Sequence, residues 1–164
     1  MPFVVRWPGK VKPGSKCDET ICHTNLMATC AELLGAKLPA EAAEDSFSIL
    51  PLLRGKRQDE PVFPAVVHQG ADGTLAIRRG KWKLVLGAIT GESAHASDQL
   101  YDLAADLGET SDVAADHAGE VTALRELLVA HIEQGRSTPG PAQTNNVRVP
   151  LRLPRPAAKA KSKK

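Results

Sequence analysis

Three cysteines are the side chains of this sequence best suited to nucleophilic or soft-metal chemistry. They are Cys17, Cys22 and Cys30, and none of them stands in the C-x-x-C spacing of a zinc knuckle. An odd number of thiols cannot pair completely within one chain. Cys30 also falls in an apolar helical pattern, which predicts that it is buried as a small hydrophobic residue. All three cysteines are therefore interpreted as structural or incidental.

Charged residues around a predicted hairpin form the next candidate group. Arg78 and Lys81 flank a tight turn, where their charges could attract an anion, although a solvated strand face is the plainer interpretation. Trp82 could offer a stacking surface, yet its alternation with Leu84 predicts a place in the core. The hairpin therefore contains candidate binding residues without forming a complete site.

Two acids and one histidine complete the candidates. Asp102 and Asp106 could supply oxygen ligands to calcium, but no third ligand follows at the spacing of a calcium loop. They are interpreted as turn-forming acids. His68 ends a short predicted strand directly before a glycine-rich turn, and its role depends on a resemblance described below.

The composition is typical of a soluble globular protein with a basic end. The chain has 164 residues, of which 42% are hydrophobic and 24% charged. Seven basic residues and no acids lie from Val147 onward, which leaves 14 basic against 19 acidic residues, a net charge of −5, in the rest. This balance argues against nucleic-acid binding by the body of the protein. No segment approaches the roughly 20 apolar residues of a membrane span.

The first part of the chain has the pattern of one strand and one helix. The segment from Phe3 to Trp7 is apolar and β-branched, which favours a buried strand. A chain that opens on an interior strand is expected to be part of something larger. Thr24 or Asn25 can cap a helix that ends at Gly35. Its apolar face would consist of Leu26, Met27, Cys30, Leu33 and Leu34.

The middle of the chain has the pattern of an antiparallel sheet with one covered face. Strands are expected at residues 65–68, 75–78, 81–86 and 100–103, after a short helical turn at residues 46–55. An amphipathic helix from Gly119 to Gln134 follows. Its apolar face would consist of Val121, Leu124, Leu128 and Ile132. These elements predict an α/β or α+β fold.

The end of the chain is rich in Pro, Gly, Asn and Lys and has no hydrophobic period. Such a segment cannot bury enough apolar surface to offset the entropy of ordering it, so residues 136–164 are expected to be disordered. Binding of nucleic acid or anionic lipid through this basic tail is an alternative to a simple solubilising role. Base stacking is excluded because the tail has no aromatic residue.

Five segments, in this order, resemble the type I sulfatase (arylsulfatase) family. They are MPFVVRWPGKVKPGS, HTNLMATCAELLGAKLP, SFSILPLLRG, AIRRGKWKLV and LYDLAADLGETSDVAADHAGEV. The last segment departs from the family pattern at Leu107, where Pro is usual, and after Asp112, where Val113 stands in place of Asn-Leu. The resemblance covers the chain up to about residue 135.

This resemblance implies an alkaline-phosphatase-like α/β fold, of which the chain is the C-terminal portion. Residues 1–60 would end the catalytic-domain region with the last strand and helix of the large sheet. Residues 61–135 would form a C-terminal subdomain, a four-stranded antiparallel sheet with a packed helix, followed by the basic tail at 136–164. Because this subdomain can border the substrate cleft in the family, His68 could hydrogen-bond a sugar or aryl ester. A partly exposed strand-end histidine is the alternative.

The catalytic parts of the family have no counterpart in this sequence. Complete members attack the ester with a formylglycine made from Cys or Ser in a C/S-x-P/A-x-R motif, which none of the three cysteines begins. The calcium ligands and the catalytic Lys and His of the family also lie upstream of the matching segments. The resemblance thus implies calcium and formylglycine in the complete enzyme, and no catalytic residue, metal ligand or cofactor in this chain.

The sequence therefore predicts the C-terminal part of a sulfuric ester hydrolase that is inactive as an isolated chain. The complete enzyme would act on a sulfated ester or carbohydrate, and this chain would pair with the missing N-terminal catalytic part. The alternative is a non-catalytic module that binds sulfated carbohydrate or complements a partner chain.

Three further expectations concern partners and localisation. Alone, the first strand and helix would expose an apolar patch and favour self-association. No specific nucleic-acid partner and no membrane span are expected. Complete members are often exported, but no signal peptide is visible here, so the localisation stays unknown.

Overall fold

A computed structural model describes residues 3–56, 61–87 and 97–152 of the chain. The elements are α1 (Asn25–Leu34), α2 (Leu50–Leu53), β1 (Val66–Gln69), β2 (Leu75–Arg79), β3 (Trp82–Val85), β4 (Gln99–Asp102) and α3 (Ala118–Gln134). One compact unit contains the described residues up to Val66 together with His131–Thr144, and a second contains Val67–Ala130 together with those from Asn145 onward. No helix in the described ranges is long and apolar enough to cross a membrane.

Helix α1 has the predicted ends, and Asn25, one of the two residues predicted to cap it, organises its start. Gly35 adopts a left-handed conformation with φ 66°, and the N–H of Ala36 bonds to the carbonyl of Ala31, which closes the last turn. Thr24 occupies the N-cap position without a side-chain cap bond. Asn25 instead accepts the backbone N–H of Cys22 at 2.6 Å, which fixes the chain entering the helix.

The buried side of α1 contains two polar residues beside the small Ala31, and hydrogen bonds attach it to the following segment. Asn25 Nδ2 donates to the carbonyl of Phe47 at 2.9 Å, and the N–H of Ile49 donates to Thr29 Oγ1 at 3.0 Å. Ile49 and Leu50 are buried, so the bonded segment brings its own apolar residues into this unit. Both Asn25 and Thr29 are buried, so leaving their polar groups unpaired would be costly.

The predicted apolar face of α1 lies on the surface. Leu26, Met27, Leu33 and Leu34 are all exposed, with Leu34 80% exposed. Cys30 is exposed as well, so the prediction that it is buried is wrong. The physical reason is that residues 46–49 bond to the polar stripe of the helix and leave the apolar stripe to solvent.

Residues 3–7 form no strand, which differs from the sequence expectation. Phe3 is 43% and Val4 88% exposed, although both have the apolar character of a buried strand. A strand needs a hydrogen-bonding neighbour, and the sheet found in the described residues consists of β1 to β4 alone.

The second unit contains the four-stranded antiparallel sheet in the order β1-β2-β3-β4. Its strands begin and end within one residue of the predicted bounds. Ile77 faces Leu84, which in turn faces Leu100, and all three side chains are fully buried. This row forms the centre of the covered face, as the alternation of apolar residues predicts.

Helix α3 packs on this sheet. Its Leu124 and Leu128 are fully buried, and its Glu120 pairs with Arg79 of β2 at 3.3 Å. The α/β class and the four-stranded sheet with a packed helix are thus confirmed.

Residues 136–143 make specific contacts in the first unit, which differs from the disorder expected from residue 136 on. Arg136 is buried and donates to the carbonyls of Ala40 and Pro141 at 3.1 and 3.0 Å. Gly140 lies so close that a Cβ there would meet the guanidinium at 2.6 Å. Backbone carbonyls thus order this turn without much apolar burial. The rest of the expected tail from residue 153 on lies outside the described residues.

Candidate functional site

His68 lies near the end of β1 with its side chain exposed, beside two cationic residues of the sheet. These are Arg78 of β2 and Lys83 of β3, which face each other across the strand pair. Partial desolvation of the imidazole, and then the charge of Lys83, lower the pKa of His68, while Glu109 opposes this effect. His68 is therefore neutral near neutral pH and offers both a hydrogen-bond donor and an acceptor.

Lys83 is already paired with a carboxylate. Its Nζ lies 2.6 and 2.7 Å from the two oxygens of Glu109, which has the unusual positive φ of 54°. Asp106 holds this loop in place by accepting the backbone N–H groups of Thr110 and Ser111 at 2.7 and 2.8 Å. The charge of Lys83 is thus largely balanced and is not available to an anionic ligand.

Arg78 is the cation of this group that has no carboxylate partner among the described residues. Its Nε donates to the carbonyl of Gly80 at 3.0 Å, which orients the guanidinium without neutralising it. Within the described ranges, no ion pair includes Arg78. A neutral imidazole beside an oriented guanidinium is suited to binding a hydroxyl together with a nearby anionic group.

Lys81 and Trp82 do not join this group. Lys81 Nζ lies 2.6 Å from Asp102 Oδ2 and 4.4 Å from the centre of the Trp82 ring. His117 lies 4.7 Å from the same indole, so two neighbours already occupy the surroundings of Trp82. Asp102 also accepts the N–H of Ala104 at 3.0 Å, and this bond agrees with its interpretation as a turn-forming acid.

The three cysteines and the carboxylates are the remaining candidates for a metal centre. Cys17 and Cys30 are exposed, Cys22 is half-buried, and all three are free thiols. No group of three or more His, Cys, Asp or Glu side chains in the described ranges could hold a metal ion. The described part of the chain therefore offers no carboxylate cluster that fits the calcium ion that the resemblance implies for the complete enzyme.

A second charged cluster, which the sequence did not reveal, surrounds Asp98. The carboxylate of Asp98 is 4% exposed and accepts the N–H of Gly87 at 2.8 Å, with Arg125 and Arg152 paired to its two oxygens. Burial raises the pKa of Asp98, but the bonds from Gly87 and Arg125 outweigh it and hold the pKa below its usual value. The partners lie 27 and 54 residues away in sequence, so no local pattern links them.

Residues 1–137 match the family described as "N-sulphoglucosamine sulphohydrolase, C-terminal". An N-acetylgalactosamine-6-O-sulfatase of Bacteroides thetaiotaomicron is 39% identical over 139 residues, which are 78% of this chain and 26% of that protein. A choline-sulfatase of Rhizobium meliloti is 32% identical over 138 residues, 80% of this chain and 25% of that protein. The chain thus spans about a quarter of the length of these relatives.

A solved structure shares both the fold and the sequence pattern. Its description concerns the metabolism of multiple glycosaminoglycans by Bacteroides thetaiotaomicron. It superimposes on this chain with a TM-score of 0.69, and the two sequences are 35% identical. The match covers 79% of this chain and 28% of that one. Sequence and structure thus agree on the same segment of a longer protein.

Proposed function

Because this chain belongs to the sulfatase family and corresponds to the C-terminal region of those enzymes, we propose that it completes a sulfuric ester hydrolase whose catalytic machinery lies in the region that these 164 residues do not match. The formylglycine nucleophile and the calcium ligands belong to the part of a sulfatase that this chain does not match. The chain itself supplies framework and a surface beside the substrate, and alone it does not hydrolyse sulfate esters.

The exposed apolar side of α1 is the observation that carries this proposal. Met27 and Leu34 are 51% and 80% exposed, and Leu26 and Leu33 lie beside them on the same helix. Contiguous apolar surface of this kind marks a site of contact with other protein. A sulfatase has about three quarters of its length outside the matched region, so its catalytic part is the natural partner for this surface.

The group around His68 has a role in substrate binding within the same proposal. A neutral His68 donates or accepts a hydrogen bond with a sugar hydroxyl, and Arg78 attracts the sulfate group. The same geometry favours the second candidate, a non-catalytic module that binds sulfated carbohydrate. The two functions differ in whether the chain restores hydrolysis when it is joined to a catalytic part.

A chimeric enzyme tests the leading proposal. The upstream three quarters of the Bacteroides N-acetylgalactosamine-6-O-sulfatase are joined to this chain, which replaces the matching region of that enzyme. We expect release of sulfate from N-acetylgalactosamine 6-sulfate by the chimera, and none by either part alone with calcium present. Turnover by the isolated 164-residue chain, or a chimera no more active than its upstream part, contradicts the proposal.

Substitution of His68 in the chimera tests the binding role. We expect His68→Ala to raise KM by about three- to tenfold with little change in kcat, as loss of one hydrogen bond to substrate predicts. Gln69→Ala is the matched control, because Gln69 is the next residue of β1 and is also exposed. Equal KM values for the two variants would remove His68 from the substrate site.

A further inference from the structure

Two arginines converge on one buried carboxylate in the second unit. Arg125 of α3 and Arg152 each place one Nη2 atom against a different oxygen of Asp98. The shared carboxylate keeps the two guanidinium groups close together although they carry the same charge. Asp98 therefore acts as a fixed anchor for a pair of cations.

Within the ranges that the structure describes, the hydrogen bonds of this pair leave several guanidinium N–H groups without a partner. A guanidinium has five N–H donors, and the bonds to Asp98 use the Nη2 atom of each arginine. The side chains of Arg125 and Arg152 are 46% and 39% exposed, whereas that of Asp98 is 4% exposed. The anchor is thus buried, whereas both arginine side chains reach the surface.

The charge of the cluster is unbalanced. Among the described residues, one carboxylate faces these two guanidinium groups, which gives the three side chains a net charge of +1 and a repulsion between the arginines. An anion with several oxygens relieves this repulsion and accepts paired N–H bonds from both groups. A spherical anion such as chloride cannot make the same paired bonds.

We propose that Arg125 and Arg152, anchored by Asp98, form a binding site for an oxyanion of the sulfate type, either free or as an ester. The site is complete within this chain and does not depend on the proposed completion of a hydrolase. The competing view is that Arg152 merely ties its segment of the chain to Asp98. The two views differ in whether an added anion binds.

Titration calorimetry of the full chain with sodium sulfate, at constant ionic strength set by sodium chloride, tests the site. We expect saturable sulfate binding by the wild type and about tenfold weaker binding by Arg152→Gln, equivalent to about 1.4 kcal/mol. This variant leaves Asp98 paired with Arg125, so the buried carboxylate is not stranded. Arg148→Gln is the matched control, because it removes an exposed arginine from the same segment and should bind like the wild type.

Two results overturn the proposal. One is heat and saturation from sulfate no greater than from chloride at the same ionic strength. The other is equal binding by the Arg152→Gln and Arg148→Gln variants. Arg152→Lys sharpens the test, since it keeps the charge but loses the planar fork, and we expect its affinity to lie between those of wild type and Arg152→Gln.

A second titration separates the two sources of the oxyanion. N-acetylgalactosamine 6-sulfate is compared with inorganic sulfate, and unsulfated N-acetylgalactosamine is the control. Binding of the sulfated sugar about tenfold tighter than sulfate identifies an ester as the ligand, whereas equal affinities identify the sulfate group alone. If neither inorganic sulfate nor the sulfated sugar binds better than the unsulfated sugar, the proposed oxyanion site is wrong.

Discussion

Helices α1 and α3 differ in the kind of side chain that they bury. Helix α3 buries Leu124 and Leu128 and thereby follows its apolar pattern. Helix α1 buries Asn25, Thr29 and the small Ala31, and leaves its leucines and Met27 at the surface. An amphipathic pattern therefore shows that a helix has an apolar side, but not that the same chain covers that side.

Different forces hold the two helices in place. A fully buried leucine contributes roughly 1.5–3 kcal/mol through its removal from water, so the packing of α3 is stabilised mainly by the apolar surface that it buries. A buried hydrogen bond contributes about 0.5–1.5 kcal/mol, yet leaving a buried partner unpaired costs about 1–3 kcal/mol. The attachment of helix α1 therefore depends on every buried polar group having a hydrogen-bond partner, and removal of a single hydroxyl should lower the free energy of unfolding.

The largest expected effect is the loss of a core leucine in α3. We expect Leu124→Ala to lower the free energy of unfolding by about 2–5 kcal/mol, because a fully buried side chain leaves a cavity. Leu34→Ala makes the same chemical change on the exposed side of α1 and should stay within about 0.5 kcal/mol. Urea unfolding followed by circular dichroism measures both. Similar losses would erase the contrast between the helices.

An intermediate effect is expected from the polar anchor of α1. Thr29→Val keeps the shape of the side chain but removes the hydroxyl that accepts the N–H of Ile49, which should cost about 1–3 kcal/mol. Thr122→Val is the control, because Thr122 bonds to its own helix in an exposed position of α3. If both variants unfold at the same urea concentration as the wild type, hydrogen bonding does not hold α1.

The smallest effect on stability should come from the exposed apolar side of α1. We expect the double variant Met27→Gln/Leu34→Gln to unfold within about 0.5 kcal/mol of the wild type. It should nevertheless bind less of a hydrophobic dye and sediment as a smaller species, because the patch is smaller. Unchanged dye fluorescence and unchanged sedimentation would show that this side of the helix is not the surface that binds the dye and mediates self-association.

Local patterns were sufficient to predict most elements of the second unit. The turn at Gly80 and the alternation through Trp82 and Leu84 define a hairpin, because turn geometry and the period of two act over a few residues. In the first unit, the short helix α2 and the glycine that ends α1 follow from equally local rules. The pairing of Leu84 with Leu100 then joins strands whose apolar positions were already visible.

Long-range polar contacts were not predictable in this way. The side of α1 that packs depends on Thr29 meeting Ile49, and hydrophobic periodicity contains no information about that bond. The pairing of Lys83 with Glu109 depends on the turn around Asp106, and although Asp106 was predicted to form a turn, no local pattern links Lys83 to Glu109. The strand expected at residues 3–7 required a neighbour that a sequence pattern cannot guarantee.

The contacts of residues 136–143 have a practical consequence for recombinant work. A protein shortened at residue 135, where the predicted subdomain ends, would lose Arg136 and with it a donor to the carbonyl of Ala40. It would also lose the N–H groups of Ser137 and Thr138 that reach the carbonyl of Glu44 at 3.2 and 3.0 Å. The loop at residues 40–45 would then be open to proteases, so shortened versions should retain the chain at least through Gln143.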